Sequence, residues 1–322
     1  MNYDLNDPVT RALWDSYADD EKQDFESAYI YMKYLQEFVS LLLVEELDYP
    51  PVPGLKNLDP KVKERVESML KDLGKAAEGG FESDKYHGKV VRLQDAKQLI
   101  NQKVDVNVSV PQTVFPFKLA RDVIIKNPQE AIAVGKCPCR VSKGGPSCIP
   151  EPMEVCFFLG DPHVSFVVEH NPQFRRIGQQ EAIDILEDCQ KRGLVSVAYF
   201  RKDMGNRMYA ICNCCKCCCG GVKATTHILN SHGEMNSGEG CFPSGLVAEV
   251  GEECIGCGEC VDKCQFEAIS LNEEEELVEI DLHRCMGCAV CEAHCPTEAI
   301  SMRAEPTKGG VLDLAELKKG TS

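Results

Sequence analysis

The first 136 residues of this 322-residue chain contain no cysteine, although the whole chain carries 20. Basic residues are scarce too: 35 Lys and Arg stand against 51 Asp and Glu, a formal net charge of −16. Nucleic-acid binding through phosphates draws on clustered Lys and Arg, so no nucleic-acid partner is expected. Long apolar runs are missing. The longest, Phe38 to Val44, is far short of the roughly 20 residues that span a bilayer as a helix, so no membrane span is expected. Met1-Asn2-Tyr3-Asp4 has neither the positive start nor the apolar run of a signal peptide, and the expected location is the cytoplasm. No G-x-G-x-x-G fingerprint followed by an acidic residue points to a flavin or nicotinamide site. The seven histidines share no spacing. His163 and His170 flank a Val/Phe segment read as a strand, and both fit surface or capping roles better than ligation. The length predicts two or three domains.

What is there is cysteine, and in a reducing compartment cysteine at this density points to metal rather than disulfides. Near the C-terminus the chain reads Cys254-x2-Cys257-x2-Cys260-x3-Cys264, then Cys285-x2-Cys288-x2-Cys291-x3-Cys295-Pro296, one rhythm twice at an offset of 31 residues. Three thiolates two residues apart wrap one face of a cubane within a tight loop, so the pattern predicts two [4Fe–4S] clusters. Gly256, Gly258 and Gly287 sit between ligands, where the backbone turns sharply and presents N–H groups. Ile255, Val261, Met286 and Val290 are placed to shield the clusters. Ala268-Ile269-Ser270 and Ala299-Ile300-Ser301 follow as equivalent short strands. One departure stands out: Cys295 is followed by Pro296, but Cys264 by Gln265. A disulfide framework belongs to small secreted chains, and structural zinc rarely uses eight cysteines in a doubled pattern.

A second district spans residues 137 to 219. Cys137, Cys139, Cys148 and Cys156 are followed by Cys212, Cys214, Cys215, Cys217, Cys218 and Cys219, six cysteines in eight residues. Gathered thiolates select zinc, Cu(I) or iron–sulfur clusters. Ten candidates suffice for one or two further [4Fe–4S] clusters, with zinc as the alternative. Adjacent side chains diverge, so the two runs are expected to share ligands. Pro138, Pro146, Pro150 and Pro152 stiffen the first loop, and Gly144-Gly145 and Gly220-Gly221 permit close approach. Lys136, Arg140 and Lys216 are candidates to offset cluster charge, with solvated surface as the bland alternative. Cys241 is either a ligand or a bystander. Cys189, on the apolar side of a helix with Ala182, Ile185 and Leu186, reads as a buried structural thiol.

The doubled motif resembles bacterial ferredoxins. That resemblance implies crossed ligation: one cluster on Cys254, Cys257, Cys260 and Cys295, the other on Cys285, Cys288, Cys291 and Cys264. Residues from about 95 to 302 resemble a family of largely uncharacterised 4Fe–4S binding proteins of anaerobic bacteria. The resemblance is carried by Asn127-Pro128, Ile132-Ala133-Val134, Cys137-Pro138-Cys139-Arg140, Phe166-Val167-Val168-Glu169-His170 and Tyr209-Ala210-Ile211-Cys212-Asn213-Cys214-Cys215. It implies several clusters and electron transfer, and names no substrate.

The fold class expected is α+β: a helical N-terminal region (1–92), a cysteine-rich α+β domain (93–228), a ferredoxin-like 2[4Fe–4S] domain (246–303) and a tail (304–322). Phe25, Ala28, Met32, Leu35, Val39, Leu42, Leu43 and Leu47 recur at three- and four-residue steps, predicting one helix from Asp20 to Leu47. Its stripe faces a core or, alternatively, a dimer seam. Asp59 and Pro60 start a second helix to Ala77. Further helices are predicted at Leu93–Ile100, Pro116–Lys126 and Gln179–Arg192, with strands at Val104–Val110, Ala131–Val134 and Val195–Phe200. The last helix and strand look like the end of a winged helix, against which the acidic balance argues. Residues 229 to 245 read as a linker. The function expected is electron transfer through two ferredoxin-type clusters and one or two further clusters, by a carrier or oxidoreductase subunit rather than a stand-alone enzyme. A catalytic component of an oxidoreductase and a redox-sensing regulator are the alternatives. The partner expected is a redox protein with a basic docking face.

Overall fold

Asp7 opens the first helix: its carboxylate accepts the backbone N–H of Thr10 at 2.7 Å, and Pro8 occupies the first turn, where a missing N–H costs nothing. The computed structural model describes residues 3–47, 50–78, 86–102, 106–109, 122–125, 131–144, 153–205, 207–231, 240–272, 274 and 277–314. Four helices come first: α1 (Pro8–Asp15), α2 (Lys22–Lys33), α3 (Leu35–Leu47) and α4 (Pro60–Glu78). Asp59 caps α4 as expected, accepting from Lys61 N at 2.8 Å. The single helix predicted from Asp20 to Leu47 is instead two, broken at Tyr34, whose φ and ψ of −119° and 36° leave the helical region. The stripe itself faces a core, with Phe25, Ala28, Met32 and Leu35 buried.

The chain then alternates: β1 (Tyr86–Val91), α5 (Leu93–Ile100), β2 (Val106–Ser109), β3 (Asp122–Ile125), β4 (Ile132–Lys136), α6 (Pro138–Ser142), β5 (Glu154–Leu159), α7 (His163–His170), β6 (Phe174–Ile177), α8 (Gln179–Lys191), β7 (Val195–Arg201), β8 (Arg207–Cys214), α9 (Gly220–Ser231) and β9 (Cys241–Phe242). Among the described residues nine strands form one sheet in the order β6-β4-β5-β8-β7-β1-β9, with β3 also against β8 and β2 against β3. Most neighbours are antiparallel, which with the surrounding helices makes the class α+β.

Strand alternation sorts side chains to the two faces. Ala133, Phe158, Val197, Tyr199 and Cys214 share a core with the N-terminal helices and α7. Val134, Phe157, Ala198, Phe200 and Ile211 pack instead with Leu99, Ile100, Ala182 and Leu186 of α5 and α8. The N-terminal helices are therefore one layer of the sandwich. Polar groups fix them: Tyr31 Oη meets Tyr209 Oη at 3.0 Å, Asn171 Nδ2 donates to Met32 O at 2.9 Å, and the Arg201 guanidinium stacks 3.9 Å over the Tyr31 ring.

Three local expectations are corrected. His163 to His170 is a helix, its apolar side Val164, Phe166 and Val167 turned to the core at helical spacing. Asp122–Ile125, at the end of the predicted Pro116–Lys126 helix, is a strand paired with β2; the rest of that segment lies outside the described residues. Within the predicted 229–245 linker, α9 runs on to Ser231, and Cys241 and Phe242 pair in parallel with β1.

The C-terminal unit is built from β10 (Leu246–Val250), α10 (Glu259–Lys263), β11 (Ile269–Asn272), β12 (Leu277–Ile280), α11 (Val290–Ala293) and β13 (Ile300–Ala304). β10 pairs β13 and β11 pairs β12, both antiparallel. Among the described residues no helix is long and apolar enough to cross a membrane.

Candidate functional site

The doubled cysteine repeat folds as two near-copies. Gly256 and Gly287 have φ of 62° and 67°, Gly258 and Ala289 75° and 62°, Glu267 and Glu298 54° and 55°. Left-handed backbone thus recurs at the same 31-residue step as the cysteines, and at Ala289, Glu267 and Glu298 it is adopted against the side chain's preference. Amide donors repeat as well. Ala268 N donates to Cys264 Sγ and Ala299 N to Cys295 Sγ, both at 3.2 Å, and Ala248 N to Cys285 Sγ at 3.4 Å. Gly287 has no room for a side chain, since a Cβ there would lie 2.2 Å from Ser244 Oγ and 2.3 Å from Leu246 O.

A cavity in this unit is lined by Cys264, Cys285, Cys288 and Cys291 and by apolar side chains including Phe266, Met286 and Val290. Cys264 comes from the first repeat and the other three from the second. Reciprocally, the Cys260 thiol lies in the field of Cys257, Cys254 and Cys295. Burial pushes the Cys260 thiol up to about 11 and Cys291 to about 12, so metal must displace a held proton. Four sulfurs around an apolar hole, with amides donating to sulfur, fit a cubane. The two sites differ in exposure. Met286 and Val290 are buried, whereas Cys257 is exposed and Ile255 is 63% exposed. Ile255 therefore does not shield, because it sits at a loop tip between Cys254 and Gly256.

The upstream cysteines converge at one end of the large sheet. Cys156 and Cys212 face each other across β5 and β8, and Cys214 follows two residues on, on the same face. Cys137 and Cys139 flank Pro138 at the start of α6. The Cys137 thiol is held well below the usual thiol range by hydrogen bonds with Cys139 and Cys156, and Cys219 likewise by Cys139 and Cys214. Their partners are pushed up: Cys139 and Cys156 chiefly by Cys137, and Cys214 by Cys219. Cys156 also bonds Cys212, so six sulfurs form a continuous path: Cys212, Cys156, Cys137, Cys139, Cys219, Cys214. Beside it, the sulfurs of Cys215, Cys217 and Cys218 lie within 4.8 Å of one another. Cys217 Sγ lies 3.5 Å from Cys215 Sγ and 3.2 Å from Cys218 Sγ. Cys148 lies outside the described residues, as do Pro146, Pro150, Pro152 and Gly145.

Arg140 is 1% exposed and reaches Cys215 Sγ with Nη2 at 3.9 Å. Burial works against its charge, but the Cys137, Cys215 and Cys156 sulfurs outweigh it and hold its pKa above the usual value. This is a buried counter-charge, not the solvated surface of the bland reading. Lys136 and Lys216 are exposed. Cys189 is fully buried, as expected, yet it packs with Cys137, Cys156, Cys215 and Cys218.

Two features escaped sequence reasoning. One is the helical cover: α3 packs on α6, and Leu43 lies so close to Gly220 that a Cβ there would meet it at 2.8 Å. The other is the joint between the districts. Gln265, only 6% exposed, accepts Lys216 N at 2.8 Å; Lys216 Nζ pairs with Glu267 at 3.6 Å; His294 Nε2 lies 3.0 Å from Lys191 O. Phe266, Met286 and Val290 join the core that holds Cys214, Cys219 and Cys241. The signal for this joint was the one break in the repeat, glutamine where its copy has proline.

Residues 253–299 match a family described as a 4Fe-4S dicluster domain. No curated protein matches the chain.

Proposed function

We propose that this chain is an electron-transfer protein whose dicluster unit exchanges single electrons with one or two further [4Fe–4S] clusters in the upstream district. The observation that carries this reading is the joint at Gln265 and Lys216. It places Cys264 one residue from a direct hydrogen bond to the loop of Cys215 and Cys217. Bound clusters would supply one-electron chemistry; the chain supplies position, burial and hydrogen bonds.

In this reading the crossed sets are Cys254, Cys257, Cys260 with Cys295, and Cys285, Cys288, Cys291 with Cys264. The second set lies against the upstream core and serves as the inner relay, and the first, at the surface, is the outlet. In this reading the N-terminal helices are the cover, the large sheet with α9 and β9 holds the upstream clusters, and residues 246–303 are the outlet unit. The outlet's partner is a protein with a basic face: residues 246–303 carry fourteen Asp and Glu against three Lys and Arg. This unit also presents the exposed apolar side chains Ile255, Leu271, Leu277 and Leu282. Charge sets encounter and apolar tips set contact. The setting is a reducing cytoplasm.

Iron and sulfide counting on anaerobically purified protein tests the reading. About twelve or sixteen irons per chain, three or four cubanes, are expected. About eight irons, or zinc upstream, would overturn the upstream relay.

A further inference from the structure

Cys241 stands apart from both cysteine motifs, yet the fold delivers its sulfur to the upstream district. Gly240, at φ +99°, leads into β9; a Cβ there would lie 2.4 Å from Thr225 Oγ1 and 2.9 Å from Thr225 backbone. Only glycine lets the strand come this close to α9. Thr225 then fixes the approach, its Oγ1 accepting Cys241 N–H and donating to Gly221 O, both at 2.7 Å.

Gly221 is bare where the sulfurs gather. A Cβ on it would meet Tyr199 Oη at 3.1 Å, Cys241 Sγ at 3.4 Å and Cys219 Sγ at 3.8 Å. Cys219 in turn bonds Cys139 and Cys214. The four thiols come from four separate segments: the start of α6, the end of β8, the turn into α9, and β9. All four are free, and Cys214, Cys219 and Cys241 are 5%, 6% and 0% exposed. The Cys241 sulfur comes within reach of the Tyr199 phenol and sits beside Cys219 at the bare face of Gly221.

We propose that Cys241 is a ligand of an upstream iron–sulfur cluster, with Cys139, Cys214 and Cys219 as the other three. The proposal rests on the iron–sulfur reading of the upstream district. Four thiolates complete one cubane and leave Cys137, Cys156 and Cys215 around Arg140, with Cys212 opposite Cys156, for another. Tyr199 Oη, 3.9 Å from Cys241 Sγ, is placed to tune the cluster through a hydrogen bond to sulfur.

The test is iron and sulfide counting with low-temperature EPR on the full chain, reconstituted anaerobically, as wild type, Cys241→Ala and Cys241→Ser, with the dicluster signal as the internal control for folding. Cys241→Ala should lose about four irons, one cubane's worth, while the dicluster signal persists. Cys241→Ser is nearly isosteric, so it preserves packing and should lose or visibly alter one signal. Wild-type iron and an unchanged spectrum in both Cys241 variants would overturn the assignment. A wild type holding only zinc, or no metal, upstream would overturn the underlying reading, and that result is seen before any variant is made.

Discussion

Gln265 Oε1 accepts the backbone N–H of Lys216 at 2.8 Å, joining the residue after one cysteine motif to the middle of another. The same side chain donates through Nε2 to Lys263 O at 3.2 Å, so both ends of the amide are engaged. Replacing it by Ala removes a buried acceptor, a loss of about 1–3 kcal/mol. Replacing it by Pro restores the symmetry of the repeat and also removes the acceptor. In both variants the Lys216 amide should exchange with solvent faster. Electron transfer between the dicluster unit and the upstream district, followed by flash reduction, should slow while iron content holds. An unchanged transfer rate with an exposed Lys216 amide would show that the bond docks the unit without carrying the electron path.

Arg140 is the second point at which charge decides. On the proposed reading the sulfurs around this buried guanidinium are anionic ligands, and removing one partner of such a set leaves the other charges uncompensated. Arg140→Met should therefore lower upstream iron content and move the upstream potential to more negative values, with the dicluster signals unaffected. Arg140→Lys keeps the charge but not the planar fork and should fall between. Potentiometric titration followed by EPR separates the two effects; an upstream potential indifferent to both substitutions would remove Arg140 from the electrostatics of the site.

The doubled repeat was legible because its spacing is itself the chemistry: thiolate positions, turns and amide donors all recur at 31 residues. The upstream path was legible only as a density of cysteine. Which sulfurs meet depends on strand register, and register between β5 and β8, which sets Cys156 opposite Cys212, is fixed by a sheet no short motif announces. The helix from His163 to His170 was misread because Val164, Phe166, Val167 and Val168 are β-branched or aromatic residues, and tertiary burial overrode that local preference. The break at Tyr34 leaves the apolar spacing on both sides almost intact, so periodicity could not reveal it. Cys241 carries no local pattern; its place follows from Gly240 and Thr225.

Asp7 makes a prediction about the helical cover. Hydrogen bonds from Thr10 hold its carboxyl below the usual range, and His170 Nε2 lies 3.1 Å away. A carboxylate whose folded pKa is depressed stabilises the fold above its unfolded value, about 4, and loses that contribution only as pH falls through the folded value. The contribution should therefore be constant from pH 6 to 8 as far as the carboxylate is concerned. Asp7→Ala should cost about 1 kcal/mol, the usual worth of a helix N-cap, and raise amide exchange in α1. Asp7→Asn keeps a capping oxygen and should cost little. Equal losses in the two variants, measured by urea unfolding, would assign the stability to the His170 contact instead.

Crossed ligation gives the sharpest contrast between paired variants. If each cluster took its fourth thiolate from its own repeat, Cys264→Ala would damage the site of Cys254, Cys257 and Cys260. The cavity lined by Cys264, Cys285, Cys288 and Cys291 places the damage in the other site. The two sites are distinguishable because one is exposed at Cys257 and Ile255 and the other is walled by Phe266, Met286 and Val290. Each single variant should lose or convert one cluster, about four irons at most, and abolish the magnetic coupling between the pair. Cys295→Ala should spare the buried cluster, whose signal stays insensitive to small aqueous oxidants, while Cys264→Ala should spare the exposed one, which those oxidants bleach quickly. The opposite assignment of protected and exposed signals would mean that each repeat closes its own cluster, and the inner relay against the upstream core would then lack Cys264 as its link.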